Sequence, residues 1–220
     1  MAGLAGSVAP RTPAIVGGSH DPLLEWALRE SGSGVATLPE GSEAGLRRLS
    51  RGDMVFRMGE PCNEFHVVVT GQVKLFVISP AGHEKVIELI GPGGSFAEAL
   101  MFLERPCMVN AQTLADSLLL SVHRDAVLEE LQRDARFAMR MMAGLSRRLH
   151  GLIMDVESYS LQSGTQRVIG YLLRQDEDHA SAAAPYTVTL PTSKAIVASR
   201  LNLTPEHFSR ILHDLTQAGL

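Results

Sequence analysis

The sequence predicts an α+β chain: a strand-rich barrel, then one long helix, then a terminal helix pair. Three observations predict it. Short β-branched and apolar runs, punctuated by Gly and Pro, fill residues 51–122. Gly and Pro then almost vanish from Asp125 to Ser158, where apolar residues recur at helical spacing. The last thirty residues carry the start and stop signals of two short helices around a tight turn.

Composition sets the frame. With 220 residues, 45% hydrophobic and 20% charged, the chain is globular and long enough for two domains. Its two cysteines, Cys62 and Cys107, share no CxxC spacing, which argues against a disulfide framework, a zinc ribbon and an iron–sulfur cluster, and for a cytoplasmic location. No apolar run reaches the roughly 20 residues of a membrane span. The opening MAGLAGSVAPRTPAIVGG lacks a charged segment followed by a compact apolar one, so it reads as a mobile arm rather than a secretory signal. Within residues 1–30, Asp21 to Glu30 is expected to form a short amphipathic helix around Trp26. The net charge is −4, yet seven arginines face three acids between Arg133 and Arg174, so the second half can still meet phosphate.

The barrel is assigned to residues 31–124. Met54 to Phe56, Phe65 to Thr70, Val73 to Ile78, Lys85 to Ile90 and Leu118 to Val122 read as strands. Gly59-Glu60-Pro61, Gly71-Gln72, Pro80-Ala81-Gly82 and Gly91-Pro92-Gly93-Gly94 separate them as turns, the rhythm of a sandwich or barrel. Residues 125–160 follow as one helix. Ala138, Met142, Leu145, Leu149, Leu152, Val156 and Tyr159 are spaced 4-3-4-3-4-3, the seam of a two-stranded coiled coil about 33 Å long. The competing reading is an amphipathic helix packed on its own domain; the apolar seam flanked by Arg147 and Arg148 favours a homodimer.

Residues 161–220 form the third unit. Thr165 to Arg174 is expected as a helix burying Val168, Ile169, Leu172 and Leu173, followed by a polar loop from Asp176 to Pro185 and a small strand from Tyr186 to Leu190. Ser193 to Arg200 then forms a short helix with Ile196 and Val197 inward, and Leu201-Asn202-Leu203 turns. Thr204 caps the next helix, Pro205 takes its first position and Glu206 lies at its positive dipole end. Phe208, Ile211, Leu212 and Leu215 form the buried stripe, leaving Glu206, Ser209 and Arg210 on the opposite face. This is the pattern of a helix-turn-helix, whose second helix enters the major groove of double-stranded DNA. There an arginine grips guanine O6/N7 and a glutamate accepts from a cytosine amino group.

The order of barrel, long helix and helix-turn-helix from about Arg51 to Leu220 resembles the CRP/FNR superfamily of bacterial regulators. The resemblance implies a cyclic-nucleotide-binding-like β-roll and a winged helix-turn-helix; the chain ends at Ala218-Gly219-Leu220, where that family continues into a wing, so the wing is expected to be absent. The family's E-x-x-S-R recognition pattern falls on Glu206, Ser209 and Arg210, which by resemblance read a palindrome of the TTGAT…ATCAA type. Ser193, Lys194 and Thr204 match phosphate-contacting positions, and RNA polymerase is the further partner that an activator implies.

In the sensor half, nucleotide-binding members show F-G-E and, about ten residues on, R-S/T-A. Here stand Phe96-Ala97-Glu98 and Arg105-Pro106-Cys107-Met108, so a cyclic nucleotide is not expected. No cysteine precedes Cys62, which argues against the cluster-bearing oxygen sensors. Gly59-Glu60-Pro61, Phe96 to Phe102, Leu149-His150 and Pro205 to Arg210 look like the Dnr-type branch, which controls denitrification genes in answer to nitric oxide through haem. The expected effector pocket comprises His66, Phe96, Glu98, Arg105 and His150, with haem as its cofactor; no spacing identifies an iron ligand or another metal site. No catalytic residues are expected, since a cupin-like metalloenzyme needs an HxH pair and His66 has no histidine two positions away.

Overall fold

The computed structural model describes residues 44–174 and 188–219. The expected helix at Asp21 to Glu30, the N-terminal arm, the loop from Asp176 to Pro185 and the first residues of the strand expected at Tyr186 lie outside them.

Eight strands form the barrel: β1 (Ala44–Leu49), β2 (Met54–Phe56), β3 (Glu64–Thr70), β4 (Val73–Ile78), β5 (Glu84–Ile90), β6 (Ser95–Phe96), β7 (Asn110–Thr113) and β8 (Ser117–His123). They make two antiparallel sheets, β1-β8-β3-β6 and β2-β7-β4-β5. Successive side chains of a strand point to opposite faces, and β3 buries both. His66 stands against Phe56 and Phe96, beside the inner core of Val55, Val68, Val73, Leu75 and Leu119. Phe65 and Val67 turn outward to a second core with Leu120, Val122, Val127, Phe137 and Met141. Burial on both faces is why Phe65 to Val69 reads as a continuous apolar run. Each such side chain fully buried contributes about 1.5–3 kcal/mol.

Four elements escape the sequence, the two-residue β6 among them. β1, Ala-Gly-Leu-Arg-Arg-Leu, has helix-forming letters but pairs along its whole length with β8, Ala44 opposite Val122 and Leu49 opposite Ser117. β7, Asn-Ala-Gln-Thr, looks polar, yet Ala111 and Thr113 are buried between β2 and β4. A short helix α1 (Glu98–Leu103) follows β6.

Gly71 closes the β3–β4 hairpin at φ 89°, and a β-carbon there would stand 2.6 Å from the Asp116 carbonyl and 2.7 Å from the Ser117 Cα. Backbone cannot yield cheaply. Gly71→Ala is expected to cost about 2 kcal/mol, combining left-handed strain with that clash, read as a lowered urea midpoint at unchanged slope.

The long helix is two helices. α2 (Arg124–Arg133) ends where Asp134 adopts φ −128°, ψ 105°, and α3 (Ala135–Leu161) restarts with the Asp134 carboxylate accepting from Arg136 N–H at 2.8 Å. An aspartate favours this helix start, which interrupts a segment read as continuous. The apolar packing of α3 on the barrel is at its near end: Phe137 and Met141 are buried and Leu145 packs beside them. Met142, Leu149, Leu152 and Val156 stay exposed, as do Ile153 and Met154. Tyr159 does not join them, because its hydroxyl is bonded to Arg200.

The helix α4 (Gly164–Arg174) buries Val168 and Tyr171, while Leu173, expected inside, is 56% exposed. Of the strand expected at the Tyr186–Leu190 stretch, Val188 to Leu190 take no regular structure.

Candidate nucleic-acid interface

The last two described helices are α5 (Lys194–Arg200) and α6 (Pro205–Gln217). Ser193 caps α5 by accepting from Ile196 N–H at 3.4 Å, and Thr204 caps α6 by accepting from His207 N–H at 3.2 Å. Asn202 takes φ 56°, the left-handed turn position that asparagine tolerates. Val197, Ala198, Leu201, Phe208 and Ile211 close one small core with Val168 and Tyr171, joined by Leu212 and Leu215. His207 turns toward Gly164 at the start of α4, where Leu203 and Ile211 also leave little room for a β-carbon.

That core fixes which face of α6 is free. Glu206, Ser209 and Arg210 are all exposed, within the first two turns and opposite Phe208 and Ile211. Ser193, Lys194 and Thr204 are exposed as well, at the N-terminal ends of α5 and α6. Arg210 can donate two parallel hydrogen bonds and Glu206 can accept, while the two capped N-termini point partial positive charge at an approaching phosphate.

A cleft of about 550 Å³ lies where the β5–β6 loop, α3 and the helix-turn-helix meet, and Glu88, Glu98, Arg148, Asp155 and Arg200 line it. Arg148 donates to Ser95 O at 2.8 Å and reaches Glu88 at 2.5 Å and Glu98 at 3.4 Å. Arg200 pairs with Asp155 at 2.5 Å. Neither arginine was distinguishable in the sequence from any other, because their partners lie 45 to 60 positions away.

Of the expected pocket residues, Glu98 is buried in this cleft wall and Phe96 is buried in the barrel. His66 is buried in the barrel too, its Nδ1 2.8 Å from Ser121 Oγ, and burial with the Arg47 charge lowers it to about 3. Arg105 and His150 are exposed and do not line the cleft: Arg105 sits in the loop after α1, and His150 is on the solvent side of α3. Burial, with the neighbouring Cys107 adding to it, pushes the Cys62 thiol up to about 12, and burial raises Cys107, so both are neutral core thiols. Among the described residues no cluster of three or more His, Cys, Asp or Glu is placed to hold a metal ion, and no helix is long and apolar enough to cross a membrane.

Residues 46–134 match the cyclic nucleotide-binding domain and residues 166–220 the Crp-like helix-turn-helix domain. A solved putative cAMP-binding regulatory protein from Silicibacter pomeroyi is 30% identical, covering 90% of this chain and 85% of that one at TM-score 0.57. The chain belongs to the CRP/FNR family of transcription regulators. Two curated CRP/FNR relatives are the cyclic AMP receptor protein of Thermus thermophilus, 27% identical over 79% of this chain and 78% of its own length, and the transcriptional activator protein anr of Pseudomonas aeruginosa, 26% identical over 79% and 71%.

Within this CRP/FNR fold the sensor half departs from the F-G-E and R-S/T-A pattern of nucleotide-binding members. Ala97 stands at φ 76° where the nucleotide-binding pattern has glycine, a conformation that costs an alanine about 1–2 kcal/mol. Glu98 faces Arg148, and Arg105-Pro106-Cys107-Met108 lacks the R-S/T-A pattern, with Arg105 exposed and Pro106 offering no amide to a phosphate.

Proposed function

We propose that this regulator acts as a homodimer that reads a TTGAT…ATCAA-type palindrome and activates genes of anaerobic or denitrifying metabolism, recruiting RNA polymerase in the cytoplasm. The observation that carries it is the single exposed face of Glu206, Ser209 and Arg210, held by a helix whose other face is locked into a core. The uncovered stripe of Met142, Leu149, Leu152 and Val156 supports pairing along α3. The exposed, capped N-terminal ends of α5 and α6 support backbone contact by Ser193, Lys194 and Thr204, and the E-x-x-S-R match supports the FNR-like half-site.

The control signal in this reading is a small ligand taken into the cleft between barrel and α3. Neither His66 nor His150 is placed to hold haem. His66 is buried against Phe56, Phe96 and Ser121, and His150 faces solvent. Neither residue supports nitric-oxide control through haem. A cyclic nucleotide is the second reading, favoured by the matched domain and the receptor from Thermus thermophilus. Arg105-Pro106-Cys107-Met108, which lacks the R-S/T-A pattern, opposes it.

The deciding experiment is binding to the palindrome and to a scrambled duplex at one stated salt concentration. Arg210→Ala is expected to lose about 1–3 kcal/mol of discrimination per half-site, flattening the preference, while salt-dependent non-specific binding persists. Equal discrimination by the variant would sink the assignment.

A further inference from the structure

β5 is the outer strand of its sheet, so one row of its backbone groups faces away from β4. An uncovered edge is normally blunted or capped. Here α5 caps it. Val86 N–H donates to Ser199 Oγ at 2.9 Å, that hydroxyl lies 3.3 Å from Glu84 O, and Lys85 Nζ donates to Ser199 O at 2.5 Å. The next residue grips a second element: Arg200 donates to the Tyr159 hydroxyl and pairs with Asp155 on α3, while the Tyr159 hydroxyl donates back to Arg200 O at 2.6 Å. The Lys85 ammonium sits 5.1 Å from the Tyr159 ring centre. Burial, then the Arg200 and Arg167 charges, holds Lys85 down to about 8, as expected of an amine enclosed by the docked helix.

Two adjacent residues at the C-terminal end of α5 thus tie the helix-turn-helix to both the barrel and α3. Its other end, Ser193 and Lys194, and the face of Glu206, Ser209 and Arg210 stay free. We propose that Ser199 and Arg200 are positioning residues for DNA recognition: they clip the reading head to the β5 edge and to α3, and so set the angle at which the two heads of a dimer meet successive grooves. The inference rests on the palindrome reading above. Heads held rigidly discriminate half-site spacing, because only one separation, about 34 Å, suits both; loosely tethered heads tolerate several. The clip also borders the cleft, through Arg200 and Asp155, so a ligand there competes for the same ion pair.

The test pairs two readouts on the intact chain. In Ser199→Ala, amide exchange at Val86 is expected to accelerate at least about tenfold, since its acceptor is gone. Affinity for the palindrome should fall about tenfold, and the penalty for half-sites moved apart by about two base pairs should shrink, while a single half-site binds as before. Ser199→Thr, which keeps the hydroxyl, should restore both exchange protection and spacing discrimination. Arg200→Gln should reproduce the loss of spacing discrimination without altering Val86 exchange. Unchanged Val86 exchange in Ser199→Ala, or wild-type spacing discrimination despite faster exchange, overturns the clip. An equal loss on the single half-site overturns it too, placing the effect within the head itself. A wild-type chain indifferent to the palindrome overturns the DNA premise instead, and Val86 exchange still reports whether the docking exists.

Discussion

Leu152→Asp is expected to convert the protein into a single-chain species by sedimentation and to cost about 100-fold or more in affinity for the palindrome. Leu152 is 43% exposed in the isolated chain, amid Leu149, Ile153 and Val156, all more than half exposed. A stripe of that size on one helix has water as its neighbour unless a second copy covers it, and monomeric proteins seldom leave such patches open. A carboxylate at its centre must be desolvated for two helices to pack, which costs several kcal/mol for each of the two copies. Loss of pairing removes the avidity of two linked heads, worth about 10²–10⁴ in affinity. Thermal stability of the barrel should barely change, because the barrel core ends at Leu145. A dimer that survives the substitution would show that α3 is not the seam.

The second large effect is acid sensitivity from His66. Its ring is buried, stacked near Phe56 at 5.9 Å and Phe96 at 5.1 Å, and the folded chain holds it at about 3 against an ordinary 6.5. The folded state therefore binds fewer protons than the unfolded state between those two values. Stability is complete above about pH 6.5 and falls as pH drops toward 3, by about 1.4 kcal/mol per unit. At about pH 4.5 the loss from this residue alone is about 3 kcal/mol. Replacing both partners, His66→Phe with Ser121→Ala, should flatten the urea-derived stability against wild type across that window, since no buried donor or acceptor of the pair is then left unpaired. A His66 ring signal that titrates near 6.5 in the folded protein would contradict this packing.

How far the letters carried is clearest in α6. Thr204, Pro205 and Glu206 announced its start, Asn202 the turn before it, and the spacing of Phe208, Ile211, Leu212 and Leu215 its inner face, so the free face of Glu206, Ser209 and Arg210 was legible as well. Local signals also placed five strands. They failed for β1, whose Ala, Leu and Arg favour a helix and which is a strand only because β8 offers a full-length partner. They failed at Asp134 too, where one capping side chain divides a segment whose apolar rhythm runs on.

Caps, turns and periodicity are decided within a few residues, so the sequence by itself determined a barrel, a helix with an apolar stripe and a helix pair with one polar reading face. Pairings between distant residues carry no local signature, and tertiary structure alone decided those. It packed His66 against Phe56, Phe96 and Ser121, set Arg148 against Glu88 and Glu98, and brought Ser199 to the edge of β5 across more than a hundred positions of chain. The physical reason is that an ion pair or an edge hydrogen bond depends on where the backbone returns in space, which is fixed only when the cores of barrel and helices close together.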